Sequence, residues 1–179
     1  MKEIYDRRSI RDYSEKEVSQ EQLEQVIDAA RHAPSGSNTQ PWRFIVVKDT
    51  KKREELSFIS EKQEWMNKAP ISIVCIAEGS VRGIEEDQLL DEETPGHQAK
   101  RLVRDTSIAI THLILEAEHL GLSTCWVGWY EQEDIKKVMN LPQNTYVVGV
   151  ITLGYAKNKV KARKRKELNE ILFYEEYNK

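Results

Sequence analysis

The stretch from Ala99 to Leu120 places the strongest condition on any fold of this chain. Its apolar positions, among them Leu102, Val103, Ile108, Ala109, Ile110, Leu113, Ile114, Leu115, Ala117 and Leu120, recur at helical spacing yet cover most of the circumference of a helix. A helix apolar nearly all round must be buried on several sides. A chain of 179 residues is the size of one domain and has trouble supplying that cover alone. The helix therefore predicts a subunit interface and a homodimer. Gly121 follows it where a glycine C-cap belongs. No linker or repeat divides the sequence, so residues 1–179 are read as a single domain.

Shorter elements fill in around that helix. Ser19 and Gln22 read as a capping box, and Leu23, Val26, Ile27 and Ala30 give the helix they start one apolar stripe. Strands are predicted over Trp42–Val47, just after Gly121-Leu122, and over Tyr146–Leu153. The continuous apolar run Ile71–Ala77 reads as a central strand covered on both faces. Further short helices are predicted over Lys51–Ile59 and Asp134–Met139, with a turn or two over Lys62–Lys68. Within that turn, Trp65 reads as core or as an aromatic wall beside a planar ligand.

Composition narrows the function classes. Hydrophobic residues at 39% and charged residues at 32% describe a packed core under a heavily charged surface. No apolar run approaches the roughly 18 residues of a membrane span, and Met1–Ser14 lacks the apolar segment of a signal peptide, so a cytoplasmic location without membrane attachment is expected. Cys75 and Cys125 form no C-x-x-C pair and sit in apolar strands, which predicts buried, reduced thiols. His112, Glu116 and His119 could share one helix face, but no nearby Cys or Asp completes a metal site and a solvent stripe explains the same residues, so no metal is expected. The net charge of −3 is unevenly spread. Lys157–Lys166 holds seven basic residues in ten, and Glu85–Glu93 six acidic ones in nine. The basic run lacks interleaved aromatics and the chain is acidic overall, which weighs against a nucleic-acid partner. The segment Glu78–Gln98, with Gly79, Gly83, Pro95 and Gly96, reads as a mobile acidic excursion, either placed where a substrate lid would sit or a plain acidic surface loop.

Two segments carry the chemistry. The connector Ala33-Pro34-Ser35-Gly36-Ser37-Asn38-Thr39-Gln40-Pro41-Trp42 offers uncharged donors and acceptors between a helix and a strand. Pro34 stops the helix, Gly36 is read as permitting backbone geometry closed to other residues, and Pro41 as holding Gln40 extended. The amino-terminal arm Arg7-Arg8-Ser9-Ile10-Arg11 supplies guanidinium groups, planar forks of donors that suit a phosphate.

The ordered pair R-R-S-x-R, then P-S-x-x-N-x-Q-P-W, resembles the start of the nitroreductase family of flavin mononucleotide (FMN) enzymes. Gly121-Leu122 through Trp126-Val127-Gly128 resembles that family's second flavin segment, and the basic stretch after Gly154-Tyr155 its carboxy-terminal end. The resemblance implies an α+β fold with a central, mainly antiparallel sheet flanked by helices, in an intertwined homodimer with FMN at the subunit interface. It implies that Arg7, Arg8, Ser9 and Arg11 grip the FMN phosphate and ribityl chain, with Arg11 near the pyrimidine side of the ring. Pro34, Ser35, Gly36, Asn38 and Gln40 would read the flavin's uncharged edge, and the backbone of Val127 and Gly128 would lie beside the ring. Arg165, with Arg163 as second choice, would meet the phosphate. The implied reaction is ping-pong, with NAD(P)H reducing FMN and an electron-poor small-molecule acceptor (nitroaromatic, quinone or enone) taking the electrons. A dehalogenating or flavin-consuming activity would share the same contacts. No nucleophilic or paired-carboxylate constellation emerges, so no catalytic side chain is expected beyond the cofactor.

Overall fold

The computed structural model describes residues 1–94 and 97–177. Pro95, Gly96 and the side chains of His97 and Gln98, all within the acidic excursion, lie outside the described residues. Four strands, β1 (Trp42–Val47), β2 (Ile71–Glu78), β3 (Ser123–Val127) and β4 (Thr145–Gly154), form one antiparallel sheet in the order β1-β2-β4-β3. The helices are α1 (Glu3–Asp6), α2 (Gln20–Arg31), α3 (Thr50–Ile59), α4 (His97–His119) and α5 (Gln132–Met139). Among the described residues, no helix is long and apolar enough to cross a membrane.

Strand β2 is buried at every residue but Glu78 because both of its faces are covered. Ile71, Ile73 and Cys75 pack toward α2 and α4, with Leu23, Val26, Ala30, Ala109, Ile110, Leu113 and Ala117. Val74 and Ile76 point the other way, toward Leu56, Ile135, Val147 and Val150. This period of two is what a central strand between helical layers imposes.

Local chemistry sets the helix ends. The Ser19 hydroxyl accepts from the Gln22 amide at 3.1 Å and the Gln22 side chain accepts from the Ser19 amide at 3.3 Å, completing the predicted box. Helix α4 ends in a left-handed Gly121 (φ 73°), where the Gly121 amide donates to Glu118 and the Leu122 amide to Ala117. These paired bonds satisfy carbonyls that the last turn leaves open. On α4, Leu102, Ala109, Ile110, Leu113 and Ala117 are fully buried, whereas Val103, Ile108, Ile114 and Leu115 remain only half-buried.

The acidic excursion is anchored rather than free. Gly79 donates to the Asn144 carbonyl, Leu90 to the Gln143 carbonyl, and Asn144 Nδ2 to the Ile84 carbonyl. Leu90 is buried with Leu102 and Ala77, and buried Lys136 donates to the carbonyls of Leu90 and Gln143. The sequence reading missed this because the anchor is one leucine in a run of carboxylates.

The arm and the tail frame the free edge of the sheet. Ser9 bridges to Thr124 on β3, the Ile10 amide donates to the Thr124 carbonyl at 2.9 Å, and Tyr13 bridges to Ala156. Ile10 and Tyr13 are buried with Ala69, and the Tyr13 hydroxyl meets Thr152 Oγ1 at 2.7 Å. Residues 157–177 form only one short turn, Leu168–Glu170, and are exposed apart from Phe173.

Candidate functional site

The arm and the tail, from opposite ends of the sequence, meet in one cavity of about 240 Å³ lined by Arg7, Arg8, Ser9, Arg11, Val160, Lys161, Arg163 and Arg165. No carboxylate is among these residues. Clustered cations without counter-charge repel one another, so the arrangement favours an anion with several acceptor oxygens. Arg8 Nη1 donates to the carbonyls of Tyr5 and Arg7, both at 2.7 Å, while its buried Nε has no partner. Arg11 lies over the Trp65 ring at 5.3 Å. Trp65 is thus partly buried core and a support for Arg11, with its indole Nε1 donating to Gln63 Oε1 at 3.1 Å.

Arg7 and Ser9 also line a second cleft of about 230 Å³, completed by Thr111, Ile114 and Leu115 of α4 and by Thr124, Cys125 and Trp126 of β3. The Trp126 indole lies against Gly149, where any Cβ would collide with it. Beyond Trp126, the Val127 side chain is buried in the core, so the chain offers only its backbone there, and Gly128 is exposed. Both cysteines are free and buried. Burial raises the Cys125 thiol, opposed by the Arg11 charge and a Ser9 hydrogen bond, and burial alone raises Cys75. Neither is poised as a nucleophile.

The connector 35–40 is held elsewhere. It contains a short 3₁₀ turn, Gly36–Asn38, with Ser37, Asn38 and Gln40 left-handed at φ 56°, 54° and 47°. This corrects two expectations. Gln40 is not extended, and Gly36 is not the residue with unusual backbone geometry; a Cβ at Gly36 would instead press on Arg82 Nη2 at 3.1 Å. Left-handed geometry costs a non-glycine residue roughly 1–2 kcal/mol, so the loop must be held by its contacts. The Gly36 amide donates to Asp105 Oδ2 at 3.0 Å, Arg82 Nη2 donates to the Gly36 carbonyl at 3.0 Å, and the Gln40 amide to Ser35 Oγ at 3.0 Å. Pro34 and Asn38 are exposed, and the Asn38 carbonyl accepts from Gln40 Nε2 at 3.3 Å. Asp105 lies nine residues before Ile114 on α4, roughly 14 Å along the helix axis. Within one protomer, therefore, the loop and the apolar cleft address different stretches of α4.

On the α4 face of His112, Glu116 and His119, His119 Nδ1 pairs with Glu3 Oε1 at 3.0 Å, and that hydrogen bond raises the histidine above its ordinary value. Among the described residues, no group of three or more His, Cys, Asp or Glu side chains is placed to hold a metal. The sequence reading missed Arg82, Asp105 and Lys161. Asp105 alone carried a signal, because it falls on the buried stripe between Leu102 and Ala109, where a carboxylate requires partners.

Fold and site together are those of an α+β protein with a cationic cavity beside an apolar cleft. Residues 4–60 and 57–155 match the model of the family described as "Nitroreductase family". The chain belongs to the nitroreductase family. It is 33% identical over 162 residues to an Archaeoglobus fulgidus protein provisionally named NADH dehydrogenase/NAD(P)H nitroreductase, covering 88% of this chain and 86% of that one. To the FMN reductase [NAD(P)H] of Bacillus subtilis it is 30% identical over 161 residues, 87% of this chain and 65% of the reductase. A solved nitroreductase family protein from Clostridium difficile superposes with a TM-score of 0.81 at 29% identity, covering 97% of this chain and 96% of that one.

Proposed function

We propose that this chain is an FMN-dependent NAD(P)H oxidoreductase working by ping-pong turnover in the cytoplasm, as one domain in a homodimer, with an electron-poor small molecule as acceptor. The observation that carries the reading is the joining of a six-cation cavity to an apolar cleft through Arg7 and Ser9. A phosphate suits the first and a planar ring the second. The unpartnered Arg8 Nε is a buried donor left for an anion.

Arg7, Arg8, Ser9, Arg11, Arg163 and Arg165 would hold the FMN phosphate and ribityl chain. FMN, when bound, supplies the hydride chemistry. Arg11, fixed on Trp65, would place positive charge at the pyrimidine edge and favour the charge that accumulates there on reduction. The backbone of Val127 and Gly128 would border the ring, and glycine leaves room for its approach. The connector would read the uncharged edge in the partner's site, which accounts for its separation from its own protomer's apolar cleft. Val103, Ile108, Ile114 and Leu115 would meet the second copy, burying the apolar face that α4 leaves half-exposed.

Initial rates measured against NADH or NADPH at several fixed concentrations of a quinone or nitroaromatic should give parallel double-reciprocal lines. Intersecting lines would mean that both substrates bind together and would exclude the ping-pong scheme.

A further inference from the structure

The connector and the acidic segment meet at the end of β2, where the Glu78 amide donates to the Pro41 carbonyl at 2.8 Å, and through the side chain of Arg82, which nothing in the flavin reading requires. Arg82 lies on a 3₁₀ turn, Ser80–Arg82, closed by a left-handed Gly83 (φ 71°) and anchored by the Gly79 amide on the Asn144 carbonyl. Its side chain is 12% exposed and faces Asp105, itself 3% exposed, at 3.5 Å. Arg82 Nη2 donates to the Gly36 carbonyl and to Thr39 Oγ1, while Asp105 Oδ2 accepts from the Gly36 amide. One ion pair thus engages the amide and the carbonyl of Gly36, the residue that begins a turn with two left-handed neighbours. Glycine at position 36 is what lets the guanidinium come this close.

A buried charge pair holds its geometry because each member, left alone, is penalised by desolvation. Resting on the FMN reading, we propose that Arg82 is a positioning residue for flavin binding. It acts through Gly36 and Thr39, with Asp105 as its counter-charge, so that the anchored start of the acidic segment sets the geometry in which the connector meets the flavin. The contact is with the loop that reads the uncharged edge, so the effect belongs to the ring and ribityl chain. It does not belong to the phosphate.

Affinities for FMN and for riboflavin, which lacks the phosphate, distinguish the two. In Arg82→Ala both affinities should fall by about tenfold, in equal ratio, as expected for losing hydrogen bonds from a charged donor. Thr39→Val, which removes from a partly exposed side chain both the acceptor of Arg82 and the hydroxyl's own donation to the Gly36 carbonyl at 3.2 Å, should weaken both flavins by about threefold with the Tm unchanged. In Arg82→Ala/Asp105→Asn the buried carboxylate, which in Arg82→Ala keeps only the exposed Arg104 at 3.4 Å as counter-charge, is gone, so the Tm should recover relative to Arg82→Ala while the flavin affinities stay low. A purely structural pair would recover both together. Wild-type flavin affinity in Thr39→Val and in the double variant would overturn the proposal, provided the parent protein binds FMN. A parent protein that binds neither flavin would overturn the FMN reading and this inference with it.

Discussion

Replacing Arg7 and Arg11 together by alanine should weaken FMN binding by roughly a hundredfold or more and riboflavin binding, which loses the Arg11 charge at the ring but no phosphate contact, by about tenfold or less. Each guanidinium lost from a phosphate removes charge-assisted hydrogen bonds worth about 1.5–3 kcal/mol, and every 1.4 kcal/mol is about tenfold in affinity. Arg7 is the better target than Arg8, because Arg8 also donates to the carbonyls of Tyr5 and Arg7 and its loss would disturb the arm itself. The contact of Arg11 with Trp65 is of a kind worth about 0.5–1 kcal/mol at an exposed site, so the variant should stay folded. Isothermal titration with both flavins checks this. Equal losses for FMN and riboflavin would move the phosphate away from the arginine cavity.

A chain ending at Asn158 should keep its fold, lose about a hundredfold or more in FMN affinity, and dissociate to monomers at concentrations where the full chain is dimeric. The truncation removes Lys161, Arg163 and Arg165 from the cavity while leaving the Lys157 and Asn158 bonds to Asp12. It also removes Leu168, Ile171 and Leu172, exposed at 67%, 61% and 43%, which no core cluster of the protomer includes. Apolar side chains held in solvent at this density mark a surface that a partner covers. Sedimentation velocity and flavin titration read the two effects separately. An unchanged dimer with unchanged FMN affinity would assign the tail no part in either.

What the sequence made legible was whatever rests on local chemistry or strict periodicity. The Ser19 box, the strand bounds Trp42–Val47, the buried run Ile71–Ala77 of β2 and the Gly121 cap each follow from residues within one turn or one strand of each other. Arg163 and Arg165 were found through resemblance to a family. Their meeting with Arg7 and Arg11 is long-range, and no spacing in the chain encodes it. The connector shows the limit most clearly. Its polar composition was legible, but its left-handed residues proved to be Ser37, Asn38 and Gln40 rather than Gly36, because Arg82 and Asp105, distant in sequence, impose the turn. The acidic excursion was misread for the same reason, since its anchors are backbone carbonyls and buried Leu90.

The most direct test of the account is the visible spectrum of the purified full chain after incubation with FMN, desalting, and anaerobic addition of NADH or NADPH. The protein should be yellow, retain flavin through desalting and bleach when reductant is added. A protein that leaves the column colourless, or one that holds FMN but stays oxidised with both nicotinamides, would contradict it.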